Sequence, residues 1–322
     1  MNDKITDQPA LLEADRFTPP TRTPWGGHRI RRLKGLDAGP VVGESWEFSI
    51  EPSFPSELVS GLRLDELFPE TPLLVKLLDA QQALSVQIHP SDDDPGLAPD
   101  EAGKPEAWYI VSHEPGAGIY LGLAPHATPE GMRAAIEQGD DVSELLTFVP
   151  VRAGDFICID AGTPHCIGAG VFLVEPQRVS PGRRGVTYRY WDWNRTYDAQ
   201  GKRDPAGEPR ALHREQALRV TRWDLPRGEA LLDEVRVRAG VPDVSAAPTC
   251  MPLGAPPLSV SRLSGTGELP LAAPDTPSAL TVLEGQIELA GISVGPGRTA
   301  ALPPGWRGTT QLAGAHAILS SA

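Results

Sequence analysis

The sequence predicts a mainly β protein, built as two β-barrel or jelly-roll halves with a few short helices inserted. Three observations predict it. Short runs with alternating apolar positions recur through the chain. Turns rich in Pro and Gly separate them, with 34 Pro and 33 Gly among 322 residues. Strand-like runs then return after residue 257, following a stretch of low signal. Evenly spaced short strands with such turns suit a barrel or a double-sheet jelly roll.

Residues 1–24 read as a loose arm or an irregular strand. Strands are expected in "SWEFSI", "PLLVKLLDA", "LSVQIHP", "AWYIVS" and "GIYLGL". The segment "HATPEGMRAAIEQGDDVSELLTFV" breaks the pattern. Thr128 can cap a helix, Pro129 suits its first position, and Met132, Ala135 and Ile136 repeat at helical spacing. One or two short helices are therefore expected near 128–147. Strands resume in "GDFICIDAGTPHCIGAGVFLVEPQ", and "TYRYWDWNR" starts as a strand before a polar loop. A short helix is expected near 210–221. Residues 224–257 carry little signal. From Leu258 strands return in "LSVSRL", "ALTVLEGQIELAGISVG", "TAALPPGW" and "HAILSS". The expected division is a first domain over 1–224 and a second over 225–322.

Composition excludes several classes. A formal net charge of -13 argues against a nucleic-acid partner, because a phosphate backbone would be repelled. The start "MNDKITDQPALLEADRF" has no basic stretch followed by an apolar run, so no signal peptide is read. No stretch approaches 18 consecutive apolar residues, so no membrane partner is expected. Three cysteines, Cys158, Cys166 and Cys250, form no disulfide framework and suit a reducing, cytoplasmic location. Cys158 and Cys166 are expected to be packed thiols.

The chemistry-bearing run is "LSVQIHP". Gln87 and His89 stand two apart, so a strand sends both to the same face, with Ser85 in line. "GKPEAWYIV" adds Glu106, and "GTPHCIG" adds His165 after a tight turn. Two imidazoles, a carboxylate and an amide oxygen would suit one Zn²⁺, leaving a position for water or substrate. Gly154, Asp160, Gly162 and His165 follow the spacing of the second cupin motif, with Asp160 where that motif usually has Pro. The first cupin motif is matched less fully. Gln87 takes the place of its first histidine, and the loop "PSDDDPGLAPDEAGK" delays Glu106.

That departure, together with "GKPEAWYIV", "GTPHCIGAG", "YRYWDWNR", "PWGG" and "GESWEFS", resembles the type I mannose-6-phosphate isomerases in their short bacterial form. The likeness runs over about residues 20–225, and the remainder resembles a second cupin-like half. There Gly297, Pro303 and Gly305 keep the motif's spacing, but Gly308 stands where the histidine would be, so no metal is expected in that half. The resemblance implies metal ligands at Gln87, His89, Glu106 and His165. It implies phosphosugar contacts at Ser85, Lys76 and Lys104, a catalytic role for Arg189, and an acid near the reacting carbons at Glu175; Lys104 is assigned a catalytic role beside Arg189 as a second cation. The segment "PQRVSPGRRGV" is longer than its family counterpart and carries Arg178, Arg183 and Arg184. Arg183 and Arg184 are expected to help hold the phosphate.

The implied reaction interconverts mannose 6-phosphate and fructose 6-phosphate through an enediol. A metal would polarise the carbonyl, cations would stabilise the enediolate, and Glu175, or else a metal-bound water, would carry the proton. Two other readings stay open: the same scaffold acting on another phosphosugar or a free aldose, and a cupin that binds metal and sugar without turnover. A monomer is expected from the resemblance. Arg189 could instead pair with Asp192. The aromatic group Tyr188, Tyr190, Trp191 and Trp193 reads as barrel wall or as a sugar-stacking platform. Asp92–Asp94 reads as a solvated turn or a lid.

Overall fold

The computed structural model describes residues 7–36 and 39–322, so the first six residues of the expected arm lie outside it. The fold is mainly β. Two antiparallel sheets face each other in the first half. A five-stranded sheet runs in the order Tyr188–Trp191, Val86–Ile88, His165–Ile167, Gly118–Leu123, Leu146–Pro150. A six-stranded sheet runs Arg236–Arg238, Asp155–Ile159, Glu106–His113, Val171–Arg178, Leu73–Ala80, Glu44–Phe48. A seven-stranded sheet carries the second half. Its long strands Ser259–Ala272, Ser278–Leu289 and Arg307–Ser321 break register near Gly265 and between Val282 and Gln286. Such bulges let one sheet bend.

The strand Leu73–Ala80 explains how the layers meet, because every one of its residues is buried. Leu73, Val75 and Leu77 pack in a cluster with Phe48, Tyr109 and Phe156, which continues into Val260, Ala279 and Ile318 of the second half. The alternate residues Leu74, Lys76 and Leu78 line a cavity inside the first half. A strand buried on both faces reads as a continuous apolar run. The lysine in the middle of this one therefore marks the face that meets the cavity. The strand Glu106–His113 divides the same way: Ala107 and Tyr109 face the second half, while Trp108 and Ile110 join the core of the first.

Polar staples cross the same junction. The buried Lys34 ammonium lies 2.7 Å from Glu47 and donates to the Gly297 carbonyl at 2.8 Å. Glu47 also accepts from Thr299 and Ser45. Tyr109 and His316 share a hydrogen bond of 2.8 Å.

The helix Pro129–Gln138 forms where expected. Thr128 Oγ1 accepts from Gly131 N at 3.0 Å, and Gly139 closes the helix in the left-handed region. Arg214–Val220 is the second expected helix. Arg29–Leu33, Leu64–Leu67 and Glu229–Val235 were not expected, and none has a side-chain N-cap bond. Their local signal is weak, and burial of Ile30, Leu64, Leu231 and Leu232 supplies the stabilisation instead.

The chain crosses the expected division at 224/225 in both directions. Arg236–Arg238 pairs with Asp155–Ile157 in the first half. Ala10–Leu11 pairs with Ala300–Ala301 in the second. No helix among the described residues is long and apolar enough to cross a membrane.

Candidate active site

The strand Val86–Ile88 is the centre of the five-stranded sheet's contribution. Gln87 pairs with His165 on one side and with Arg189 on the other. Gly162, at φ 79°, makes the turn that presents His165, and its N–H bonds the carbonyl of His89 at 2.9 Å. From the opposite sheet comes Glu106, the first residue of Glu106–His113. One ligand atom from each of His89, Glu106 and His165 lies within 4.8 Å of the others, and all three residues are buried.

The tautomers follow from the hydrogen bonds. Nδ1 of His89 sits 2.8 Å from the Val186 carbonyl, and Nδ1 of His165 sits 2.9 Å from the Thr163 carbonyl. A carbonyl only accepts, so both Nδ1 atoms carry the proton. Burial, followed for His89 by the charge of Lys104, pushes His89 down to about 3, and burial lowers His165 too. Both rings are therefore neutral, with bare Nε2 lone pairs facing Glu106 at 3.2 and 3.3 Å. Burial opposes ionisation of Glu106, yet the neighbouring Lys104, 3.3 Å away, helps hold its carboxyl well below the usual range. Three acceptors thus converge with no donor among them. Among the described residues, the buried His89 Nε2 and Glu106 Oε1 have no hydrogen-bond partner. Such a set repels itself unless a cation joins it, and imidazole with carboxylate suits a divalent transition metal. Gln87 touches the cluster through its amide nitrogen, 3.3 Å from His165 Nε2, while its oxygen accepts from Ser85 at 3.2 Å. Turning the amide over would add an oxygen to the acceptor set.

A cavity of about 350 Å³ adjoins this cluster and is lined by Lys104, Gln87 and Gln177 among others. That is within the usual size of a small-molecule pocket, roughly 300–1,000 Å³. Gln177 donates to Glu106 Oε2 at 2.7 Å. A cross-strand row of Trp46, Lys76 and Glu175 forms part of the cavity wall. Trp108 Nε1 donates to Glu175 at 3.1 Å, and Lys76 lies 3.5 Å from its other oxygen. Burial, then the charge of Glu106, pushes the Glu175 carboxyl up to about 7, against the pull of Lys76. A carboxyl poised near neutrality is suited to both taking and giving a proton.

The structure brings Ser85, Lys76, Gln87, Lys104, Glu175 and Arg189 to one cavity, with His89, Glu106 and His165 beside it. Arg183 and Arg184 line the same cavity from an exposed turn, where Arg184 pairs with Glu101 at 2.5 Å. Arg178 pairs with Asp92 at 2.7 Å. The long arginine segment and the loop that delays Glu106 thus answer each other: Arg184–Gly185 pairs in parallel with Glu101–Ala102. Asp94 is tied to Arg219, so two of the three aspartates in that run are anchored by ion pairs.

Arg189 does not pair with Asp192. That carboxylate takes Arg195 and Arg210. Tyr188, Tyr190 and Trp191 pack in a core cluster with Ile88 and Ala217, which is the barrel-wall reading. Cys166 is buried and donates to the Leu84 carbonyl, and the thiols of Cys158 and Cys166 are pushed up by burial. Sequence reasoning gave no role to Glu44, Trp46, Gln177 and Arg210, all of which line the cavity. Alternation could have found two of them: Gln177 stands two beyond Glu175, and Glu44 two before Trp46.

No family model matches the chain. It is similar to the mannose-6-phosphate isomerase of Streptococcus mutans, with 38% identity over 213 residues, covering 61% of this chain and 63% of that protein. It is also similar to the homologue YvyI of Bacillus subtilis, with 31% identity over 228 residues, 65% of this chain and 67% of that protein. The chain spans about 63–64% of the length of the first curated relatives it matches. Its fold is that of the Bacillus subtilis mannose 6-phosphate isomerase crystal structure, with a TM-score of 0.75, 24% identity, and 98% and 100% of the two chains covered. A mannose 6-phosphate isomerase crystallised with zinc and yttrium shares it at a TM-score of 0.63, 14% identity, and 98% and 99% coverage. With the ordered motifs and the converging acceptors, these likenesses place the chain: it belongs to the mannose-6-phosphate isomerase family.

Proposed function

We propose that this protein interconverts mannose 6-phosphate and fructose 6-phosphate in the cavity of its first half. The observation that supports this best is the convergence of His89, Glu106 and His165 beside a near-neutral Glu175. In this reading His89, Glu106, His165 and the turned amide of Gln87 hold one Zn²⁺. A zinc-bound isomerase of the same fold supports the choice of metal. The ion would polarise the sugar carbonyl and orient the neighbouring hydroxyl.

The chain's own residues do the rest. Glu175 takes a proton from one of C1 and C2 and returns it to the other. Trp108 and Lys76 hold its two oxygens, so the carboxyl keeps one orientation through the transfer. Arg189, in register with Gln87, and Lys104, against Glu106, supply positive charge where the enediolate oxygens develop. Ser85 and Lys76 contact the phosphosugar. Arg183 and Arg184 add positive charge at the mouth, where a dianion must approach a protein of net charge -13. The metal-holding half is taken as 1–224 and the second half as a cupin-like unit without metal ligands. The contacts of 229–238 support carrying the first unit on to about residue 238.

The test is an assay of purified, metal-analysed protein for fructose 6-phosphate formed from mannose 6-phosphate, with and without chelator. Turnover that falls with the metal content and returns with Zn²⁺ is expected. Absence of turnover in metal-loaded protein would sink the proposal.

A further inference from the structure

The cavity holds more positive charge than the reaction centre accounts for. Besides Lys76 and Lys104, five guanidiniums line it: Arg183 and Arg184 on the exposed turn, and Arg22, Arg189 and Arg210. Among the described residues, neither Arg22 nor Arg189 has a carboxylate within ion-pair distance. Arg189 Nε is buried with no hydrogen-bond partner. Arg22 is exposed, lying 4.8 Å over the ring of Trp46, whose other cation is Lys76 at 4.9 Å. Burial first, then the charge of Arg210, lowers Arg189 from its ordinary value.

Arg210 is built differently. Its Nε and Nη2 donate to the two oxygens of Asp192 at 2.8 and 2.6 Å, which leaves Nη1 uncommitted. Asp192 is itself buried and also binds Arg195, whose Nη1 donates to the Ala83 carbonyl at 2.8 Å. The carboxylate therefore fixes one arginine to the entry of the strand bearing Gln87 and holds the other in the cavity wall. Around this corner Arg22, Arg189, Arg210 and Lys76 face the carboxylates Glu44 and Asp192, and Asp192 is shared with Arg195, so positive charge is in excess. That excess suits a phosphate monoester, which carries about -1.5 to -2 near neutral pH.

We propose that Arg22 and Arg210, beside Arg189, are the seat of the substrate's phosphate, and that Asp192 is the positioning residue that presents Arg210. The inference rests on the phosphosugar reading above and adds residues to it. Guanidiniums suit this task because their planar donors match phosphate oxygens in pairs. Arg210 offers Nη1 from a pre-oriented fork, and Arg22 is free to close from the surface.

The experiment compares the wild-type holoenzyme with Arg22→Met, Arg210→Met and Arg210→Lys. It measures kcat and KM on mannose 6-phosphate and on free mannose, and inorganic phosphate binding by calorimetry. Each methionine variant is expected to raise the KM for mannose 6-phosphate about tenfold or more, the loss of one charged hydrogen bond. The kcat and the constants for free mannose should hold within about threefold, phosphate binding should weaken in parallel, and Lys should restore only part. Folded variants with unchanged KM and unchanged phosphate affinity would overturn the proposal. Among the described residues Arg22 has no carboxylate partner to lose, so Arg22→Met decides if Arg210→Met does not fold. If the wild-type protein fails to isomerise mannose 6-phosphate, the reaction falls, and calorimetry still reads the seat. Weaker phosphate binding in the variants supports the seat, and a wild-type protein that binds no phosphate overturns it.

Discussion

At the scale of single residues, the site is a matter of which atoms are left without partners. His89 and His165 spend Nδ1 on backbone carbonyls and so aim acceptors at a carboxylate. Glu175 sits in the same low-dielectric interior but keeps its proton up to about 7, because burial and the charge of Glu106 both oppose ionisation. Two carboxyls on neighbouring strands thus hold opposite states, one bound among acceptors and one poised for transfer. Replacing Glu175 by Gln removes the proton carrier while keeping the bond from Trp108. The kcat is expected to fall by about 10²–10⁴ with metal content unchanged. Steady-state kinetics with metal analysis checks it, and a kcat near wild type would remove Glu175 from the chemistry. All four residues of the expected ligand set were legible as a pattern of types and spacings. Arg210 was not, since an arginine at the end of a polar loop acquires meaning only beside Asp192.

At the scale of elements, the two segments that depart from the simple motif turn out to be one feature. The loop before Glu106 and the arginine segment after Gln177 pair through Glu101–Ala102 and Arg184–Gly185, with ion pairs Asp92–Arg178 and Glu101–Arg184 alongside. These pairs are partly exposed, and pairs of that kind contribute little stability, about 0–1 kcal/mol each. Arg183→Ala with Arg184→Ala is therefore expected to leave thermal unfolding nearly unchanged while raising the KM for the phosphosugar. An unchanged KM would take both arginines out of the substrate's path. Neither loop's partner could be read from the chain, because the two are about 80 residues apart and pairing over that distance is set by the sheets that carry them. The helix Pro129–Gln138, by contrast, was readable, since its cap, its first-turn proline and its closing glycine are all local.

At the scale of the whole molecule, the halves are joined by an apolar layer with buried polar pairs inside it. Lys34 and Glu47 are both removed from water, and burial lowers Lys34 despite its partner. Glu47→Ala would strand the ammonium. A loss of about 3–5 kcal/mol is expected, read by denaturant unfolding, with much of it recovered when Lys34→Met is added. His316 gives the junction a pH dependence. Burial, then the charge of Arg262, pushes it down to about 4, and its Nε2 shares a hydrogen bond with the Tyr109 hydroxyl. An unfolded histidine titrates near 6.5, so between about 6.5 and 4 the unfolded state binds the extra proton. Stability is expected to be intact above that window and to decline through it, by about 3 kcal/mol for this group at full protonation. His316→Gln should flatten the decline in unfolding measured between those pH values, and an unchanged slope would acquit it.

The mainly β class, the helix after Thr128, and the alternation of Ser85, Gln87 and His89 follow from the sequence alone, because periodicity, capping and tight turns are local properties. The sequence also carried the lysine in "LLVKLLDA", though not the reason for it. Tertiary contacts alone place this strand between two layers, give Asp192 to Arg195 and Arg210 rather than to Arg189, and carry Ala10–Leu11 and residues 229–238 across between the halves. Those outcomes depend on burial and on charges brought together from distant segments. The "SVQIHP" strand shows both sides: its spacing sends Ser85, Gln87 and His89 to one face, and the sheet opposite turns that face into a site.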